Sequence, residues 1–306
     1  MKYVLLSLLF LVAACDTSWK GKVVIVTGGS TGIGYATSLE LARRGADVVL
    51  AARDNKPGWH PGAKAESEIN NDPEVKASGG SGTFQKTDIR VMSEVTALID
   101  FAVNKFGHLD AAVNNGAIGG WGGPIHTLDD DKLLSEHDAI YNNLYGTIHC
   151  MMAETKYWME NGEKGKTYSI VNMSSYNGLR ACSGCSTYSA SKHGIIGLTK
   201  SAAMEYLTTD PKIRINAVAP GLINTGLTRN QIKAYEEPPQ ESWEGRFVER
   251  DDAVWLENKH LFEEGCKSGR IGEPIEMAEV IIFLLSDAAS YVSGSVYTAD
   301  AGSTAS

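Results

Sequence analysis

The chain has 306 residues, 43% of them apolar, and a formal charge of −9. Such a length and apolar share can bury a full core within one domain. The acidic balance and the lack of a basic stripe argue against nucleic acid as a partner, because that binding depends on clustered Lys and Arg that displace counterions from phosphates.

The first segment, MKYVLLSLLFLVAAC, has one basic residue, an apolar run from Val4 to Ala14, and then Cys15. A run this short, at about 1.5 Å rise per residue, does not cover a hydrocarbon core of about 30 Å, so a spanning helix is not expected. A signal-type apolar region fits instead. The residues VAAC resemble a bacterial lipobox, in which Cys15 would be lipidated. The alternative is an extension that stays in the cytosol and folds against the body. Residues 1–15 are therefore expected to be a signal-like or anchor segment ahead of a domain over 16–306, which would be membrane-associated through that segment or cytoplasmic.

From Lys22 the pattern becomes strand, turn and helix. Val23 to Val26 is an apolar, β-branched run of the kind buried on both faces of a sheet. Ala36, Leu39 and Ala42 follow at helical spacing, Gly45 closes that helix, and Val48 to Leu50 form a second run. Further runs lie around Phe84, at Ala111 to Val113, Ser169 to Met173, Ile213 to Val218 and Ser295 to Thr298. Helical patterns between them predict a single α/β domain with a doubly wound parallel sheet of Rossmann type. Two stretches break the rhythm. Residues 54–82 read as a loop with a short helix at most, and the polar, acidic stretch 230–269 reads as a candidate lid.

The stretch VVIVTGGSTGIGYA sets Thr27, Gly28, Gly32 and Gly34 at the junction of the first strand and first helix. Glycines there permit a tight turn and let the backbone approach a pyrophosphate at the helix N-terminus. The next strand ends in VVLAARD. A carboxylate at that end would accept hydrogen bonds from a free ribose 2′-OH, whereas an arginine would pair with a 2′-phosphate. Ala52 and Arg53 stand there, which favours NADP, and Asp54 keeps NAD as an alternative.

Tyr188 and Lys192 lie one helical turn apart in STYSASKHGIIGLTKSAAMEY. Hydride exchange at an alcohol carbon needs a group that moves a proton to or from the oxygen. A phenol beside an ammonium is suited to that, because the cation stabilises the phenolate and should lower its pKa.

The spacing TGxxxGxG together with YxxxK resembles the classical short-chain dehydrogenase/reductase family, and the resemblance runs from about Trp19 to the C-terminus. It implies that Gly28, Ser30, Thr31, Gly32, Ile33 and Gly34 line the pyrophosphate and adenosine ribose. It places Asp88 and Ile89 of TDI at the adenine. It places Asn115 of VNNGA at the cofactor, although the family's NNAG has its last two residues exchanged here. Pro220, Gly221, Ile223 and Thr225 of AVAPGLINT resemble the loop that closes over the carboxamide end. The family's serine lies 13 residues before the tyrosine, at Ser175, with Ser174 as the fallback, and Asn143 of NNLYG matches NLxG. The implied tetrad is Asn143, Ser175, Tyr188 and Lys192, with Lys192 also holding the nicotinamide ribose.

The resemblance implies an NADP(H)-dependent oxidoreductase that interconverts a small-molecule secondary alcohol and ketone, assembled as a homodimer or homotetramer. An NAD-dependent enzyme of the same family and a non-catalytic nucleotide-binding sensor or scaffold are the alternatives. The extended branch of the superfamily is disfavoured by the glycine spacing. The five cysteines read as mostly free thiols, with a local Cys182–Cys185 disulfide an alternative for an exported protein, and no metal is expected. Asp129 to Asp131 read as a helix start, and Trp121 and His193 as cover or surface.

Overall fold

The apolar runs become strands in a computed structural model that describes residues 18–53, 61–133, 135, 138–229, 256–257, 259–264 and 266–305. The strands are β1 (Val23–Thr27), β2 (Asp47–Ala52), β3 (Ser81–Lys86), β4 (Ala111–Asn114), β5 (Thr167–Met173), β6 (Lys212–Pro220) and β7 (Val296–Ala299). They form one sheet in the order β3-β2-β1-β4-β5-β6-β7, every pairing parallel. Residues 1–15 lie outside the described residues, as do 230–255, which hold most of the candidate lid. Among the described residues no helix is long and apolar enough to cross a membrane.

The helices are α1 (Gly32–Arg43), α2 (Gly62–Asn71), α3 (Pro73–Ser78), α4 (Met92–Phe106), α5 (Asp130–Leu133), α6 (Gly146–Asn161), α7 (Ser186–Tyr206), α8 (His260–Glu263) and α9 (Pro274–Leu285). The strands alternate their side chains between two cores, as a pleated sheet covered on both faces requires. Val24, Val26, Val48, Leu50, Val171 and Val218 pack with Leu41 of α1 and Ile281 of α9 on one face. Ile25, Val49, Ile170 and Ile215 pack with Leu98 of α4, Trp158 of α6 and Ala203 of α7 on the other. Trp158 is fully buried, donates its indole N–H to the Leu109 carbonyl at 2.7 Å, and stacks on Tyr168.

The expectation for 54–82 needs correction, because α2 and α3 occupy much of it. Asp72 separates them: its carboxylate accepts from the backbone N–H groups of Glu74 and Val75, and Pro73 supplies a helical φ at the first position. Ala65, Ile69 and Val75 face the core, so two short amphipathic helices form where the polar composition suggested a loop. The acidic start of α5 falls at Asp130, as Asp129 to Asp131 led one to expect.

The winding of the sheet switches sides between β1 and β4, so the crevice at the carboxyl ends of these two strands is where an open α/β sheet binds its ligand. Thr27 and Asn114 end those strands as paired residues.

Candidate active site

The glycine turn follows β1 directly. Gly28 and Gly32 have φ of +64° and +54°, a region open to glycine and strained for other residues. A Cβ on Gly34 would stand 2.1 Å from the Gly28 carbonyl oxygen, so the close approach of turn and helix also requires glycine. Thr31 precedes α1 without a side-chain cap, which leaves the first-turn N–H groups for an anion. This bare cradle fits the pyrophosphate of a dinucleotide. Ser30 is buried within the turn, and Ile33 is partly buried, its side chain packed against the core.

β4 is tied to the turn through Asn115. Its Nδ2 donates to the carbonyls of Thr27 and Gly28 at 3.1 and 3.4 Å, while its backbone N–H and that of Gly116 donate to Thr27 Oγ1. The Asn115 side chain therefore holds the turn in place. Ile89 packs over Gly116 and Gly146, where a Cβ on either glycine would crowd its Cδ1. Asp88 is engaged by Arg90. Partial burial pushes the Asp88 carboxyl up, but hydrogen bonds from the Arg90 side chain and N–H, with the charges of Arg90 and Arg53, hold it below the usual carboxylate range. Arg53 follows β2 at this same rim, and Asp54 lies outside the described residues.

The loop after β6 closes the crevice from the other side. Pro220 ends β6, Gly221 donates to the Ala299 carbonyl, and Ile223 bridges to Gly272. Thr225 comes so close to the glycine turn that a Cβ on Gly32 would meet its Cγ2 at 3.2 Å. Leu227 reaches across to Gly119, and Trp121 donates its indole N–H to Ser135 at 3.2 Å. Ile118 and Trp121 follow β4 and Leu227 follows β6, so apolar residues stand on the segments beyond the carboxyl ends of these strands.

Ser175, Tyr188 and Lys192 are brought together by β5 and α7. Ser175 follows the end of β5, starts the turn Tyr176–Gly178, accepts from the Asn177 N–H at 3.2 Å, and lies near enough to the Tyr188 phenol to pull its pKa down. Ser174 turns away and donates to the Lys192 carbonyl at 2.9 Å, which assigns the fallback serine to the scaffold. Lys192 is 2% exposed; its Nζ donates to the Met173 carbonyl at 2.8 Å and stands 5.6 Å from the centre of the Tyr188 ring.

The expected lowering of the Tyr188 pKa is not found. Burial pushes the phenol up to about 12, against the downward pull of Ser175, and Tyr176 adds a further upward push. Burial also drives Lys192 down to about 7. Desolvation of both groups outweighs any help the ammonium gives the phenolate. In the free protein the phenol is thus protonated at neutral pH.

Asn143 sits in a π-helical turn, Ile140–Tyr145, that leads into α6. Such turns break the regular carbonyl ladder and re-aim side chains. The Asn143 amide is clamped: Oδ1 accepts from the Ile118 N–H at 2.8 Å, and Nδ2 donates to the Ile118 carbonyl and to Ser191 Oγ. Ser191, absent from the sequence-based set, lies next to Lys192 and couples Asn143 to α7. Also missed was Glu154, 1% exposed on α6. An acidic residue at helical spacing between Met151 and Trp158, both buried, was the available signal.

The reading of the cysteines as mostly free thiols is corrected at one place. Cys182 and Cys185 are disulfide-bonded, because the turn before α7 brings their Cα atoms to 5.6 Å, whereas Cys150 and Cys266 are free. The loop they close is pinned across the crevice by the Gly123 N–H, which donates to the Gly184 carbonyl at 2.8 Å. His193 is exposed.

Comparison with known proteins agrees with this geometry. The family model described as short chain dehydrogenase matches residues 22–236, and one described as enoyl-(acyl carrier protein) reductase matches 256–304. The short-chain dehydrogenase/reductase ABA4 of Pyricularia oryzae is 39% identical over 92% of this chain and 91% of its own length. The 2,5-dichloro-2,5-cyclohexadiene-1,4-diol dehydrogenase of Sphingobium indicum is 33% identical over 93% and 98%. The crystal structure of actinorhodin polyketide ketoreductase with NADPH superimposes with a TM-score of 0.75 at 27% identity, covering 94% of this chain and 98% of that one. With the doubly wound sheet, the glycine turn and the matched length in agreement, the chain belongs to the short-chain dehydrogenase/reductase family and is an oxidoreductase acting on alcohol- or ketone-type substrates.

Proposed function

We propose that the chain is an NADP(H)-dependent enzyme that interconverts a cyclic secondary alcohol and its ketone, with Tyr188 as the acid/base. The observation that carries this reading is the Ser175–Tyr188–Lys192 cluster at the carboxyl end of β5, where a protonated phenol meets a serine hydroxyl and a lysine anchored to Met173. Bound NADPH would supply the hydride. In reduction, Tyr188 Oη gives its proton to the carbonyl oxygen, and Ser175 Oγ hydrogen-bonds that oxygen as negative charge builds on it. In oxidation the same proton returns from the alcohol to Tyr188. Lys192 stabilises the phenolate form, and Asn143, held by Ile118 and Ser191, supports the path by which the proton is replaced.

The ring-type substrate is supported by the apolar residues Ile118, Trp121 and Leu227 on the segments after β4 and β6 and by the cyclohexadienediol named for one relative. Gly28, Ser30, Thr31, Gly32, Ile33 and Gly34 would cradle the pyrophosphate, with Asp88 and Ile89 toward the adenine and Pro220, Gly221, Ile223 and Thr225 toward the carboxamide. The NADP preference rests on Arg53 at the rim beyond β2 and on the NADPH-bound structural relative. In a titration followed by nucleotide fluorescence, NADPH should bind more tightly than NADH. Arg53→Ala should weaken NADPH about tenfold, the weight of one charge-assisted contact, and leave NADH within about twofold. Equal losses for both nucleotides would sink the assignment of Arg53 to the 2′-phosphate.

A homodimer or homotetramer is supported by Tyr141, Tyr145, Met152 and Met159, large apolar side chains exposed on α6 and the turn before it. Light scattering should return two or four chain masses, and the mass of one chain would refute it.

A further inference from the structure

Four buried polar side chains form a continuous chain through the floor of the site. Glu154 of α6 accepts from Asn114 Nδ2 at 3.1 Å, and the same nitrogen donates to Asn172 Oδ1 at 3.0 Å. Asn172 Nδ2 donates to Thr199 Oγ1 of α7 at 2.9 Å. None of the four is more than 3% exposed. Asn114 and Asn172 are register partners across β4 and β5, and each immediately precedes a residue of the site. Asn114 precedes Asn115, which ties down the glycine turn. Asn172 precedes Met173, whose carbonyl holds Lys192. Thr199 lies two turns beyond Lys192 on the same helix.

A buried carboxyl is a costly choice for packing alone, since a leucine there would avoid the desolvation. Resting on the catalytic reading above, we propose that Glu154 is a positioning residue: through Asn114 and Asn172 it holds the ends of β4 and β5 in the relative placement that sets Lys192 against Tyr188. The group acts in its neutral form. Burial pushes its pKa up to about 8, against the hydrogen bond from Asn114. On its own helix, Cys150 is the titratable group that senses its charge, while Asn114, Asn172 and Thr199 on the facing strands and helix do not titrate. Asn114 Oδ1 has no partner, so the network keeps one acceptor open to a carboxylic O–H or to the amide of a glutamine after a reorientation of the Asn114 side chain.

Glu154→Gln and Glu154→Leu separate positioning from mere support of the fold. With NADPH and cyclohexanone as probe, the glutamine variant should keep kcat within about twofold. The leucine variant should lose about tenfold or more in kcat with little change in KM, as expected when reacting groups are slightly misplaced. The leucine variant should nevertheless melt no lower than the wild type at pH 7, so activity and stability part company. Hydrogen exchange should speed up selectively in peptides covering 113–117 and 171–175 of the leucine variant and remain slow in the glutamine variant. Wild-type kcat and exchange in the leucine variant would overturn the proposal, as would equal damage from both substitutions. If the wild type reduces no cyclohexanone, the exchange contrast still decides the role of Glu154, so the two readings fail separately.

Discussion

Tyr188→Phe should reduce turnover by about 10²- to 10⁴-fold, the range associated with loss of a positioned proton donor. The ring is kept and only the hydroxyl is removed, so packing at the head of α7 is preserved and NADPH affinity should stay within about twofold. Ser175 keeps its hydrogen bond from the Asn177 N–H. Steady-state kinetics and a nucleotide titration on the same preparation give the two numbers. A variant that retains more than about a tenth of wild-type turnover would remove Tyr188 from the chemistry. Because burial holds the free phenol at about 12, the reductive direction should remain active across neutral and mildly alkaline pH.

Replacing Lys192 by Met should move turnover and stability in opposite directions. Turnover should fall about 10²-fold or more, since the cation that stabilises the phenolate is gone. Stability should rise at neutral pH. The lysine has its ordinary value of 10.5 in the unfolded chain and about 7 when buried. Between those values the unfolded chain holds a proton that the folded chain has released, so wild-type stability increases as pH rises from 7 to 10.5 and is lost as pH falls toward 7. Methionine carries no proton, so its advantage should be greatest at or below pH 7, of the order of a few kcal/mol, and should shrink toward pH 10.5. The lost hydrogen bond to the Met173 carbonyl offsets this by about 1 kcal/mol. Thermal melts of both proteins between pH 6 and 10 test the slope, and parallel curves would show that Lys192 is not depressed by burial.

The same reasoning applies to Glu154 with the opposite sign. Its folded value is raised from 4.5 to about 8, so the wild type loses stability relative to Glu154→Gln as pH rises from 4.5 to 8. Lys192 and Glu154 are therefore two buried ionisable groups on the flanks of one site, each held neutral by desolvation over part of the physiological range.

What was legible in the sequence was local. The glycine spacing is a property of one strand-to-helix turn, since Gly28 and Gly32 need positive φ and Gly34 needs the close approach to Gly28. Tyr188 and Lys192 share one helical turn, and Ser175 lies 13 residues earlier, so a linear count finds them. The parallel sheet follows from apolar runs that alternate with helical spacing. The two helices between β2 and β3 were missed because a polar surface and three prolines resemble a loop until Asp72 and Pro73 are recognised as a helix start.

The tertiary structure decided what depends on neighbours distant in the chain. Lys192 is anchored by a carbonyl of β5, Asn143 by Ile118 and Ser191, and Asn115 by the carbonyls of the glycine turn 87 and 88 residues away. The protonation states were decided there too. Residue identity places a phenol beside an ammonium, but burial sets their free energies of ionisation, and here it drives them apart. Glu154 shows the same division: the sequence contains an acid on a helix, and only the packing of β4, β5 and α7 turns it into a neutral link beneath the site.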